Sequence, residues 1–434
     1  MNGDRKKVLR SWKLYDWANS AFATTIMAAV LPEFYSSVAG STLDRTIATS
    51  YWGYSNTIAM LIVAITAPML GAIGDHSAAK KRFLGGFAAL GIVATALLVG
   101  VGNGMWFYAS VLYILGRVGF AGANIFYDSL LPHVARREEI DRVSAEGYAY
   151  GYLGGGILLA LNLLMIMKPR FFGIPDAEWG SRISFLTVAV WWALFSMPLL
   201  KNVSEPPAVV GGGESGNPIV AGYQRLRKTF RDIRRFRELI KFLAAFWLYN
   251  DGINTIIIMA VIFGAEIGIG KHHLIGAILL VQFLGIPFTV IFGRLPNKLG
   301  TKRSILLCLG VYGIIVALGF FMHKPLHFWL LAVLVSMVQG GSQALSRSLF
   351  GSMIPPSKSA EFFGFYDVSG KFAGIIGPAT FALVGQLTGS SRLGIIAIVF
   401  FFLFGAIALA VVDHGKGIKA CIDAEVLSKG ESGI

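Results

Sequence analysis

Eight ionisable side chains sit inside stretches otherwise apolar enough to lie in a bilayer: Asp16, Arg117, Asp128, Glu146, Asp251, Arg347, Asp367 and Lys371. Charges at such depth are costly and by default face a bundle interior, where they pair, relay protons or hold substrate. At about 1.5 Å of rise per residue, Asp16 lies near one membrane surface, only three residues past Lys13. Asp128 and Arg347 come late in their apolar runs, Glu146 and Asp367 come early, and Lys371 is one turn deeper than Asp367. These depths coincide, so four acids, with Asp251 deeper in, face two bases near one end of the molecule. The chemistry expected of them is a gate of ion pairs that closes one side. Asp251, about ten residues in from Lys241, is the deepest acid and the first expectation for a titrating, proton-coupling group. For Asp16 and Glu146 a second reading stays open, as acids favoured at a helix N-terminus by the macrodipole.

Arg117 stands alone near mid-depth. Its planar fork suits a carboxylate or phosphate, and Asn56, Gln282, Gln339, Gln343 and Tyr113 lie at similar depth. Together they are expected to bind an anionic or zwitterionic solute. The alternative is a permanent internal pair of Arg117 with Glu146 or Asp128, with the amides serving as interhelical glue. The sequence carries no P-loop, zinc-ligand spacing or nucleophile elbow, and Cys308 and Cys421 are too far apart in the chain to suggest a metal site or disulfide. The expectation is therefore no enzyme, no cofactor and no metal, with energy drawn from an ion or solute gradient.

These side chains need long helices to place them. Of 434 residues 55% are hydrophobic and only 14% charged, far from the roughly 25% charged residues of soluble domains. Runs of about 20 apolar residues give twelve spans: 13–36, 51–74, 83–102, 106–132, 143–167, 182–200, 240–264, 272–295, 303–322, 327–352, 362–388 and 391–413. The net charge of +14 does not indicate nucleic acid, because 28 of the 38 Lys and Arg fall on one set of loops and termini and 7 on the other. The positive-inside rule then puts both termini in the cytoplasm. The reading is an all-α polytopic membrane protein in a bacterial cytoplasmic membrane, monomeric, with lipid, a small solute and protons as its partners. It divides into a six-helix bundle over 1–200, a linker over 201–239, a second bundle over 240–413 and a tail over 414–434. Within the linker, Tyr223–Arg237 is a basic amphipathic segment expected to lie on anionic lipid.

The halves repeat at an offset of about 220–235 residues. Asp16, Asn19 and Ser20 are echoed by Asp251, Asn254 and Thr255. Ser129-Leu130-Leu131-Pro132 is echoed by Ser352-Met353-Ile354-Pro355. Gly71 and Asp75 followed by Lys80-Lys81-Arg82 are echoed by Gly293, Asn297 and Lys302-Arg303. In each copy the glycine allows close helix approach. Asp75, Lys81 and Arg82 are expected to lock against a neighbouring helix end in one conformation, with a weaker copy at Asn297 and Arg303.

Six-plus-six parallel repeats with such a loop are the architecture of the major facilitator superfamily. The opening Tyr15-Asp16-Trp17-Ala18-Asn19-Ser20-Ala21-Phe22, with Gly340-Gly341-Ser342-Gln343-Ala344-Leu345-Ser346-Arg347-Ser348 and Phe362-Phe363-Gly364-Phe365-Tyr366-Asp367, resembles the vacuole effluxer family of that superfamily. The resemblance spans nearly the whole chain. It implies an alternating-access secondary transporter, with amino-acid export as the activity of the fungal branch. A lipid or lysolipid flippase on the same fold is the alternative.

Overall fold

The computed structural model describes residues 2–207, 224, 236–374 and 376–431, and among them every regular element is a helix. The first half contains α1 (Asn2–Ala21), α2 (Arg45–His76), α3 (Lys80–Leu97), α4 (Trp106–Ser129), α5 (Ile140–Met167) and α6 (Ala177–Asn202). The second contains α7 (Arg237–Glu266), α8 (Lys271–Arg294), α9 (Thr301–Phe320) and α10 (Pro325–Ser352). It continues through α11 (Ser359–Phe372), α12 (Ile376–Thr388), α13 (Ser391–Ala397) and α14 (Val399–Ala410). A final helix, α15 (His414–Glu431), forms the tail.

Among the described residues ten helical segments are long and apolar enough to cross a membrane singly, and the bent pair Gly3–Ala29 with Leu31–Ala39 makes an eleventh. The stretch read as a single span over 362–388 is instead two helices, α11 and α12, each too short to cross alone. Gly374 sits at their junction with a left-handed φ of +107°, a conformation that an L side chain adopts only with strain. Most of the expected segment Tyr223–Arg237 lies outside the described residues, and so does the side chain of Lys371.

The helices bury only part of their surface. Large apolar side chains such as Ile65 (77% exposed) and Leu387 (76%) face outward, as they do when the surroundings are lipid rather than water. Inside, glycines bring backbones together: a Cβ on Gly119 of α4 would strike the backbone of Gly91 on α3. One apolar core gathers residues of 12–203 and a second gathers residues of 236–412. Ala360, at the start of α11, belongs to the first core although it comes from the second half. The halves meet along two related contacts. The end of α2 packs on α11, and α5 packs on α8 and α10.

Candidate functional site

Arg347 on α10 is 2% exposed and turns into the first half. Its Nη1 donates to Asp128 Oδ1 at 2.9 Å, and both terminal nitrogens approach Asp16 Oδ2 at 3.3 Å. Nε donates to Ser144 Oγ and Nη2 to the Ser144 carbonyl, each at 2.9 Å. These five bonds occupy all five guanidinium N–H groups. The Tyr127 hydroxyl donates to Asp16 at 2.8 Å, and Trp12 fixes Tyr127 through its carbonyl. The cation also lies over the rings of Trp12, Tyr127 and Tyr148, the last at 4.3 Å. Gly147 makes room: a Cβ there would stand 2.7 Å from Asp16 Oδ2. One arginine from the second half is thus held by α1, α4 and α5 of the first.

A second inter-half cluster lies at the same basic end. Asp75 Oδ1 meets Lys80 Nζ at 2.8 Å, in a pair whose side chains are 1% and 4% exposed. The same carboxylate accepts the backbone N–H of Ala360 at 3.2 Å and of Glu361 at 2.8 Å. An acid therefore caps the first turn of α11, where unpaired N–H groups and the helix dipole favour it. Lys80 also donates to Ser359 Oγ at 2.8 Å and to His133 Nε2 at 3.0 Å. Gly71 completes the contact, because any Cβ would collide with the backbone of Ala360 and Glu361. The sequence placed Lys81 and Arg82 in this lock, and the structure places Lys80 there. Lys81 uses its backbone N–H on Glu205, and Arg82 is exposed.

In the second copy Gly293 lies against Ala145 and the backbone of Asp141 and Arg142. Asn297 and Arg303 are exposed. The carboxylate comes from the opposite helix instead: Asp141 of α5 accepts from Thr301 Oγ1 at 2.7 Å and from Ser348.

Above the Arg347 cluster lies a cavity of about 420 Å³ between the halves. Asp128 and Asp367 line it together with Gln282, Gln339 and Gln343, and with Asn124, Asn250 and Asn254. It shares Thr24, Gln282 and Gln339 with an apolar annex of about 380 Å³ walled by second-half residues such as Met259, Phe263 and Phe328.

Other expected site residues lie elsewhere. Arg117 is half-buried and does not line the cavity; its Nη1 faces Met27 Sδ at 2.7 Å. The alternative pairing does not occur either, because Glu146 pairs with Lys13 and Asp128 with Arg347. Asn56 and Tyr113 also stand outside the cavity lining and hydrogen-bond each other at 3.1 Å. Asp251 is apart from the Arg347 cluster. Its Oδ1 accepts the N–H groups of Gly374 at 2.6 Å and Gly377 at 3.0 Å, while Asn250 and Asn254 donate to the carbonyls of Gly370 and Ala373. A helix break inside a membrane frees backbone groups that must be satisfied by neighbours, and three residues of α7 do this for α11–α12. His133, Ser144, Ser359 and Asp141 were missed. A serine or histidine at a helix end has no distinctive spacing, and only the inter-half contact gives it a role.

The tail is docked beneath these clusters. His414 Nε2 lies 2.8 Å from Ser352 Oγ, Ser357 Oγ donates to Glu425, and Arg137 of the first half reaches Cys421 Sγ at 3.3 Å.

Residues 4–422 match the family model described as "Vacuole effluxer Atg22 like". The chain is 37% identical over 406 residues to the uncharacterized MFS-type transporter YxiO of Bacillus subtilis, covering 93% of this chain and 94% of that one. It is 23% identical to autophagy-related protein 22-1 of Penicillium rubens, over 86% and 77% of the two chains. Among solved structures it is similar to the proton:xylose symporter XylE, with TM-score 0.71, 15% identity and coverage of 96% and 97%. It is similar also to the human organic anion transporter MFSD10, with TM-score 0.72, 14% identity and coverage of 93% and 99%. At these identities the two structures establish the fold alone. With a family model over almost the whole length and a facilitator fold in two packed halves, the chain belongs to the Atg22-like vacuole effluxer family and is a multi-pass secondary transporter, not an enzyme.

Proposed function

We propose that the protein exports a small zwitterionic solute, such as an amino acid, across a bacterial cytoplasmic membrane by alternating access, driven by proton entry. Both termini and the two ion clusters face the cytoplasm in this reading, because 28 of the 38 basic residues mark that end. The observation that carries it is the Arg347 cluster under a polar cavity. Arg347 contributes one positive charge and Asp16 and Asp128 two negative, so the buried group is one proton short of neutral. Asp128 also lines the cavity, so a proton arriving from outside can reach it. Once protonated, Asp128 no longer holds Arg347 by charge, the ties of α10 to α1 and α4 weaken, and the cytoplasmic side opens. The proton then leaves inward and substrate enters.

The cavity's chemistry narrows the solute. Its named charges are acidic, Asp128 and Asp367, and its neutral polar groups are largely amides. An ammonium group fits beside the carboxylates, and amide N–H donors suit a carboxylate, so a zwitterion is favoured over a simple anion. The apolar annex can take an apolar side group. Proton coupling falls to Asp128 with Asp16, while Asp251 keeps the broken helix attached to α7.

The test is efflux from proteoliposomes preloaded with labelled amino acids under an imposed pH gradient. Wild type should show gradient-driven efflux. Asp128→Asn should abolish the gradient dependence while leaving exchange of substrate for substrate. If Asp128→Asn kept full proton-driven efflux, the coupling role would be refuted. If no zwitterion moved while a lysolipid did, the flippase alternative would replace the export reading.

A further inference from the structure

We infer that His133 is a cytoplasmic proton sensor that positions Lys80 in the Asp75 lock and releases that lock when it is protonated. This rests on the alternating-access reading above, since it supposes that the lock opens and closes.

The geometry fixes the protonation state of the locked form. His133 Nε2 lies 3.0 Å from Lys80 Nζ and 3.2 Å from Ser359 Oγ. An ammonium can only donate, so Nε2 must accept and carries no proton. Ser359 Oγ accepts from Lys80 at 2.8 Å and is free to donate its own proton to the same ring nitrogen. The ring also hydrogen-bonds at Pro356. Proline offers no N–H, so its carbonyl accepts and the other ring nitrogen donates. The neutral ring is thereby held between the halves, with Lys80 from the first and Ser359 and Pro356 from the second.

Protonation removes the only acceptor and sets an imidazolium against an ammonium at 3.0 Å. The surroundings do not offset this. Charged and titratable groups near the ring are Asp75 and His76 at the end of α2, Lys80 and Lys81 at the start of α3, Glu205 behind them, and Lys358 and Glu361 flanking Ser359. The short helix Leu131–Val134 that carries His133 packs also on α1, α4, α5 and α10, where Asp16 and Asp128 are paired with Arg347 and Glu146 with Lys13. The acid nearest to Lys80 is Asp75, and both its oxygens are already engaged, by Lys80 and by the Ala360 and Glu361 N–H groups. Lys80 is buried, whereas His133 keeps an exposed flank. Protons therefore reach the ring without the lock first opening. The sign follows: the locked state takes His133 neutral and the open state takes it in either form. Locking is complete at neutral and alkaline cytoplasmic pH and is lost as the cytoplasm acidifies.

The lock itself can be read without transport. In nanodisc-embedded full-length protein, amide exchange of the Ser359–Gly364 segment would be followed at about pH 8 and about pH 5.5, corrected for the intrinsic pH dependence of exchange. Wild type should exchange up to about tenfold faster at the acid pH, because pH 5.5 lies about one unit below the ordinary histidine value, at which the ring of the open state takes up its proton. The start of α10, at the opposite end, should not respond. His133→Gln, which keeps an acceptor but cannot titrate there, should be protected equally at both pH values. Lys80→Gln should exchange faster throughout yet lose the pH response, because the like charge is gone. A flat wild type, or an acid response retained in full by His133→Gln, overturns the inference. Should His133→Gln fail to fold, a full acid response in Lys80→Gln overturns it as well. A lost response alongside absent amino-acid efflux would uphold the sensor and refute the export reading instead.

Discussion

The two copies of the glycine-and-acid loop close the same kind of contact with different chemistry. In each, a glycine at the end of an even-numbered helix lets its backbone meet the start of a helix from the other half. Gly71 of α2 meets α11, and Gly293 of α8 meets α5. At the first, a carboxylate on the loop side, Asp75, holds an ammonium and two backbone N–H groups. At the second the loop residue is Asn297, which is exposed, and the acid sits on the receiving helix as Asp141, bound by two hydroxyls. The repeat has kept the backbone approach and exchanged the polar partners. A charged, fully buried contact is strong when whole and costly when one member is lost. A hydroxyl-bound acid forms and breaks with smaller changes. On the alternating-access reading proposed above, the α2–α11 contact would be the latch of the closed state, and the α5–α8 contact a surface about which the halves rock.

The largest expected effect separates the two most sharply. Asp75→Asn removes the charge that holds Lys80 and weakens the cap on α11, leaving an unpaired buried ammonium. The closed state should lose about 3–5 kcal/mol. The mirror change Asn297→Asp puts a charge on an exposed site and should stay within about 0.5 kcal/mol. Spin labels at the exposed positions 138 and 298 report the separation of the halves at the basic end. Asp75→Asn should move the distance distribution to longer values, and Asn297→Asp should leave it in place. Equal responses would end the distinction between the copies.

The glycines give the next step. Gly71→Ala sets a Cβ against the backbone of Ala360 and Glu361, which cannot move without shifting α11. Overpacking of this kind costs about 1–3 kcal/mol, here at the upper end. Gly293→Ala overlaps a single atom, the Ala145 Cβ, which moves only with α5, and should cost about 2 kcal/mol, less than the backbone collision at Gly71. The same distance measurement decides it, and a larger opening in Gly293→Ala than in Gly71→Ala would reverse the assignment of latch and rocker.

Much of this architecture is legible in the sequence because a bilayer leaves few options. Long apolar runs must be helices there. The repeat pointed to Gly71, Asp75 and Gly293, and the cost of buried charge pointed to Arg347, Asp16 and Asp128. Depth along a helix was legible, but direction around its axis was not. Arg117, Asn56 and Tyr113, expected in the cavity from their depth, are not among its lining residues and hydrogen-bond elsewhere. Asp251 has the depth of a coupling acid, but its carboxylate turns to the break between α11 and α12, where Gly374 and Gly377-Pro378 read as a hinge within one span over 362–388. In the lock the acid was found and its base misplaced by one residue. Three consecutive basic residues look alike in sequence, and only the burial of Lys80 distinguishes it.

A smaller test addresses the rocker. Asp141→Asn keeps an oxygen for one hydroxyl and loses the charge-assisted part of both bonds, a loss of about 1–2 kcal/mol. Its effect on the 138–298 distance should fall between those of Asn297→Asp and Asp75→Asn. An opening as large as that of Asp75→Asn would mean that both copies are latches.

The tail gives the smallest effect and the one set by pH. His414 lies beside Ser352 at the end of α10, and burial is the main cause that holds its imidazole below the ordinary value of 6.5, opposed by the nearby Asp141 carboxylate. A histidine whose pKa is depressed in the docked state favours docking while neutral. Docking is therefore at full strength above about pH 6.5 and weakens as the pH falls through and below it. A nitroxide at the exposed position 419 should be immobile at neutral pH and gain a mobile component on acidification. His414→Gln, which has no proton to take up in this range, should keep the label immobile. The tail bridges both halves, since Arg137 reaches Cys421 while Cys421 donates to the Ile354 carbonyl. Its release should thus add a modest acid-dependent broadening to the 138–298 distance, smaller than that of Asp75→Asn. If the label stayed immobile in acid, the tail would be anchored by its contacts at Ser357 and Cys421 alone, and His414 would have no part in the closed state.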